Sequence, residues 1–162
     1  MRDSGRATGP RRRRGSVIFL LLLSACSDPT RERERDALGP EPPGPGPGPF
    51  HRPGQPCLVC HDEFVVAGTI FEDRAGARAA SGAVVRLVDF TGAQARAVTN
   101  DAGNFFFTRG ELDPSWPLWV KVERGDLAVE MTSAVHREGS CAGCHTREPG
   151  PLSPGPVHLE EP

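Results

Sequence analysis

The chain has 162 residues, enough for one domain with tails, and its 19 glycines and 17 prolines favour loops and β-turns over a helical bundle. Arginine dominates the 19 basic residues, and beyond the N-terminal region the arginines are scattered, with neither a basic patch nor an aromatic ladder beside one. That distribution argues against a nucleic-acid partner.

Taken in chain order, residues 1–25 read as an export signal. Arg11-Arg12-Arg13-Arg14 is a basic region, and the apolar run 17–23 is too short to span a bilayer as a stable helix. Leu23-Ser24-Ala25-Cys26 resembles the lipobox of bacterial lipoproteins. The resemblance implies cleavage before Cys26, acylation of its thiol and new amino group, and membrane anchoring without a spanning segment. A simple secretory signal is the alternative, since such sites also end in small residues. Ser27, with no Asp in that place, leans the expected location within the cell envelope towards the outer membrane. Removing residues 1–25 takes six arginines and one aspartate from 19 basic and 21 acidic residues, so the mature chain carries a formal charge of −7.

Residues 26–49 read as a disordered Pro/Gly-rich tether. The alternating charges of 31–36 form a solvated stretch with at most one helical turn and no binding role. The Pro-Gly alternation of 45–49 favours an extended, hydrated chain of about 3.1 Å per residue.

Residues 50–63 surround Cys57-Leu58-Val59-Cys60-His61, and residues 134–157 surround a second copy, Cys141-Ala142-Gly143-Cys144-His145. C-x-x-C-H is the attachment signature of c-type haem: each thiol can form a thioether to a vinyl group, and the His can reach the iron. In an exported chain, disulfides or a Cys/His metal site are the alternatives. The repeated His separates them, because with only five His in the chain two such coincidences are on the order of one in a thousand. A zinc ribbon needs no His there and spaces its knuckles far closer than the roughly 80 residues found here. A thioredoxin-type motif is expected once, inside a βαβ unit that the pattern lacks.

Between the two motifs the apolar pattern has period two with frequent turns. It predicts strands over 64–71, 83–90, 93–99, 104–108, 116–123 and 127–132, with a strong hairpin signal at Asn100-Asp101-Ala102-Gly103. Six short strands predict an all-β fold, a small antiparallel β-sandwich over 64–133 flanked by irregular C-x-x-C-H segments, with 158–162 as a tail. Asn100, Asp101 and Asn104 read as turn residues, Trp116 and Trp119 as core and edge cover, and Met131 as core.

The runs Val66-Ala67-Gly68-Thr69-Ile70, Ser81-Gly82-Ala83-Val84-Val85-Arg86-Leu87 and Thr99-Asn100-Asp101-Ala102-Gly103-Asn104-Phe105-Phe106-Phe107 resemble the carboxypeptidase regulatory-like domain. This transthyretin-like sandwich is common in surface and periplasmic proteins. The resemblance covers about residues 64–132 and implies a scaffold with no catalytic residue to carry over. The paired C-x-x-C-H motifs resemble those of c-type cytochromes. That resemblance implies two covalent haems held by Cys57, Cys60, Cys141 and Cys144, with His61 and His145 on the irons.

No helical period flanks either motif, which favours the multihaem habit of placing His on both sides of each iron. His51 lies six residues before Cys57 and His136 five before Cys141, a matched layout that makes them the expected distal ligands, with crossing between the N- and C-terminal segments. His158 reads as exposed. The expected function is electron transfer by an exported, lipid-anchored dihaem protein that meets a membrane through its anchor and an unidentified redox partner protein. Peroxidase chemistry would need an open distal site and catalytic residues that the sequence does not offer, so no enzyme is expected. The alternative is a surface structural or interaction lipoprotein whose two C-x-x-C pairs are disulfides.

Overall fold

The period-two pattern becomes six strands: β1 (Phe64–Thr69), β2 (Val84–Asp89), β3 (Gln94–Val98), β4 (Asn104–Thr108), β5 (Leu118–Arg124) and β6 (Leu127–Glu130). The computed structural model describes residues 28–41 and 46–160. The expected export signal, Cys26, part of the Pro/Gly run and the last two residues lie outside the described residues.

The strands form two antiparallel sheets, β1-β4 and β3-β2-β5-β6. In the larger sheet, Val85 and Leu87 of β2 point inward beside Val122 and Val120 of β5, while Arg86 and Trp119 point out. The smaller sheet answers with Val66 of β1 and with Phe105 and Phe107 of β4, whose rings meet edge to face at 6.2 Å. These side chains belong to one buried cluster, so the two sheets share a core. Burying a side chain of this kind stabilises the fold by about 1.5–3 kcal/mol, an upper figure because the unfolded chain is itself partly compact. The all-β sandwich expected from the pattern is the architecture found.

The expected hairpin is also present. The Asn100 side-chain oxygen accepts hydrogen bonds from the backbone of Ala102 and Asn104, and Gly103 sits at φ +75°, where a side chain would be strained. β5 begins at Leu118, two residues later than the sequence pattern suggests, because Pro117 has no N–H for the ladder. Trp116 and Met131 pack against the core, and Trp119 stays 43% exposed.

Two segments outside the strands differ from the sequence expectation. The charged stretch read as tether is a helix, α1 (Pro29–Ala37), capped by Asp28, whose carboxylate accepts from the Thr30 and Arg31 N–H groups. It buries none of its residues and has no apolar stripe, which is why periodicity misses it. The chain past Val157 is integral to the domain. Phe71 donates to Val157 O, Leu159 donates back to Phe71 O, and Leu159 is 1% exposed within the core. We expect Leu159→Ala to lower unfolding free energy by about 2–5 kcal/mol, the usual range for emptying a buried leucine site. A denaturant titration reads it; an unchanged midpoint would show that this segment is dispensable.

Candidate functional site

Each C-x-x-C-H motif begins with a single 3-10 turn, Cys57–Val59 in the first and Cys141–Gly143 in the second. The two copies share their backbone geometry. The preceding residue is extended in both, Pro56 at φ −74°, ψ 93° and Ser140 at φ −81°, ψ 107°. In both, the first Cys carbonyl accepts from the second Cys and from the His, at 3.1 and 3.0 Å in one copy and 3.2 and 2.8 Å in the other. A turn closed this way brings both thiols and the imidazole out of one short loop, which a bare spacing pattern could not guarantee.

β1 gathers the two copies. The first turn leads directly into it. The second is drawn onto it by the lead-in 139–140: Ala67 N–H donates to Gly139 O at 3.0 Å, and Ala67 and Ser140 form a parallel bridge. Two glycines permit the approach. A Cβ on Gly68 would lie 2.6 Å from Cys141 Cβ and 2.7 Å from its sulfur, and a Cβ on Gly139 would run into the Val65 carbonyl. The inner thiols, Cys57 and Cys141, are partly buried, whereas Cys60 and Cys144 are exposed. Burial pushes the Cys57 thiol up from its ordinary value. Burial, followed by the neighbouring Cys57, pushes Cys141 up to about 12. Both motifs therefore pack on β1, with the inner thiol of each partly buried and the outer one exposed.

The histidines are held differently. His61 places Nδ1 2.9 Å from Glu63 Oε1, and His145 places Nδ1 2.9 Å from Gly155 O. A carboxylate or carbonyl acceptor requires a proton on Nδ1, which in the neutral form of each ring places the lone pair on Nε2. The His61 ring stacks on Phe64 at 4.6 Å, and Phe64 stacks on the outward Phe106 at 4.6 Å. His51, at 5.8 Å from His61, packs its Nδ1 against the backbone of Gly48. His136 is exposed between the Val135 bridge to Leu118 and the Gly139 bond to Ala67. His158 is half-buried with Nδ1 2.9 Å from Pro156 O, rather than exposed.

Arg31 of α1 is a further site residue, one that no spacing or motif announces. Its guanidinium donates to Val59 O at 2.8 Å and Leu58 O at 2.5 Å and pairs with Asp62, so it holds the carbonyl end of the first motif. A cavity of about 810 Å³ opens beside the motifs, with His51, His145, Phe50, Phe71, Arg52 and Arg147 among its walls. Among the described residues, no three or more Cys, His, Asp and Glu side chains gather to hold a lone metal ion.

No family model matches the chain, and neither a curated protein nor a solved structure is significantly similar to it.

The close seat of the second motif gives a direct test. Gly68→Ala should cost about 1–3 kcal/mol through overpacking against Cys141. In protein produced without haem attachment it should also speed alkylation of Cys141, which in the otherwise unaltered haem-free chain should react more slowly than exposed Cys60 and Cys144 because only the thiolate attacks. Mass-resolved alkylation rates check this, and equal rates for all four thiols in that unaltered chain would contradict the packing.

Proposed function

We propose that this protein carries two covalently attached haems and acts in electron transfer from a lipid anchor in the cell envelope. The observation that carries the reading is the twinned geometry of the motifs: both His61 and His145 have Nδ1 committed to an acceptor and Nε2 left for iron. Histidines that ligate metals are usually fixed in this way, by a carboxylate or carbonyl bonded to the other ring nitrogen, which also raises their basicity.

The donor set suits the group. Cys57 and Cys60 would hold one haem through thioethers, with His61 on its iron, and Cys141, Cys144 and His145 the other. When bound, the haem supplies one-electron redox chemistry at iron. The chain's own residues do the rest. Glu63 and Gly155 fix the ring orientations, Arg31 ties down the carbonyls of the first turn, and β1 fixes the spacing of the two attachment points. The sandwich, on its resemblance to the carboxypeptidase regulatory-like domain, serves as the scaffold. The lipobox resemblance makes Cys26 the lipid-bearing residue and the outer membrane the favoured location, with a redox protein as partner; neither substrate turnover nor nucleic-acid binding belongs to this reading.

Intact mass of the exported protein tests the proposal. Two additions of roughly 616 Da each are expected, the whole haem being retained when a thiol adds across a vinyl group. A mass lower by about four hydrogens, the mark of two disulfides, would overturn it in favour of a structural lipoprotein. The anchor is tested separately: Cys26→Ala should move the protein from the membrane fraction to the soluble envelope fraction, and an unchanged distribution would remove lipidation from the account.

A further inference from the structure

We infer that α1 is a strut rather than part of a tether: docked on the first motif, it holds that motif close against the lipid surface in which Cys26 is anchored. The inference rests on the lipid anchor proposed above, not on the haems, and adds which part of the domain meets the membrane.

Covalent geometry sets the distance. Cys26 is two residues ahead of Asp28, the N-cap of α1, so their Cα atoms are at most about 8 Å apart. Arg31 follows within the first helical turn, and its guanidinium donates to Leu58 O and Val59 O. Adding that turn and the arginine side chain puts the acyl-bearing residue within roughly 25 Å of the first motif. A free stretch over 26–49 would instead let the domain stand about 70 Å away, at ~3.1 Å per extended residue.

The docking is multiple. Arg31 and Arg35 stand four residues apart, on one face of the helix, and both donate to Val59 O, at 2.8 and 3.3 Å. Arg31 also pairs with Asp62. The far end of α1 is fastened as well. Gly39, in the left-handed region at φ +66°, donates its N–H to Asp36 O, and its own carbonyl accepts from Arg52 at 2.8 Å. Arg52 in turn holds the Gln55 side chain, two residues before Cys57. Both ends of a nine-residue helix are therefore bonded to one segment, 52–62, which carries the first motif. A helix this short, with no buried residue, is marginal by itself in water, so these bonds keep it in place.

The Pro/Gly run beyond α1 does not set the distance. The chain leaves the helix at Gly39, bonded to Arg52, and comes back at Pro49 and His51, whose carbonyls accept from Asn100 and Asn104. With both ends fixed to the domain, the length between them adds nothing to the reach from the lipid. The first motif is thus the one held at the lipid surface, and the second is joined to it through β1.

The test is one insertion made on either side of α1. A flexible Gly/Ser stretch of about twelve residues is placed between Ser27 and Asp28 in one form, and between Pro43 and Gly44 in the other. The parent and both forms are produced as full-length lipidated proteins, with acylation confirmed by mass. Each is seated on a supported bilayer of phosphatidylethanolamine and phosphatidylglycerol, and neutron reflectometry gives the separation of the protein layer from the headgroups. The parent layer is expected against the headgroups. Insertion before α1 should move it outward by about 20 Å, the r.m.s. span of such a stretch, and insertion after α1 should leave it in place. Equal outward movement by the two insertions, the behaviour of a continuous tether, overturns the inference. So does a layer that neither insertion moves, which would mean that the domain adheres to the bilayer by a face of its own. A chain whose mass carries no acyl groups at Cys26 overturns the anchor reading itself, before any layer is measured.

Discussion

The arrangement depends on one backbone contact, the hydrogen bond from Ala67 N–H to Gly139 O. β1 pairs with β4 on one side only, so its other edge presents unpaired backbone groups. The lead-in to the second motif covers part of that edge, running parallel to the strand. The approach is so close that neither Gly68 nor Gly139 could carry a side chain without displacing Cys141 or the Val65 carbonyl. Satisfying a strand edge and gathering the thiols are thus one event, and two motifs roughly 80 residues apart in sequence become neighbours because a sheet edge must be paired.

A second layer of control is polar. Thr69, on the same strand, passes a hydrogen bond to Asn104, and Asn104 holds the backbone of the loop that presents His51. Buried amides and hydroxyls stabilise a fold only when each finds its partners, so such a chain specifies a single loop position rather than a family of them. Arg31 plays the corresponding part for the first motif from outside the sandwich. Two carbonyls of a short turn and the carboxylate of Asp62 face it, and a guanidinium has enough donors to meet Val59 O, Leu58 O and Asp62 together. The strand network and the helix therefore fix opposite ends of the same segment, 49–62.

Much of this was legible in the sequence wherever the signal is local. Period-two alternation located six strands because each has one face on a shared core, and Asn100 to Gly103 marked a hairpin through its turn chemistry. The cysteine pattern marked both motifs, since covalent chemistry demands fixed spacing. What escaped was set by single residues acting at long range. Leu159 is one apolar side chain in a Pro-rich ending, without a period to announce it. α1 has no apolar stripe, and its docking runs through the guanidinium groups of Arg31 and Arg35 to carbonyls far along the chain. Gly68 and Gly139 look like any other glycines until the strand edge and the second motif are brought together.

The histidines show why matched spacing in sequence need not become matched geometry. His51 and His136 stand six and five residues ahead of their motifs, which suggested equivalent roles. Equivalent roles would need equivalent surroundings, and the two segments meet the sandwich differently. The first enters β1 and is pinned on the way by Asn100 and Asn104; the second leaves β6, bridges Leu118 through Val135, and reaches β1 only at Gly139. His136 falls on the span between those two backbone contacts, exposed, whereas His51 falls inside the clamp and faces the cavity that His145 also lines. The twin turns are local and repeat faithfully; the loops before them answer to the sheet, and the sheet is not symmetric.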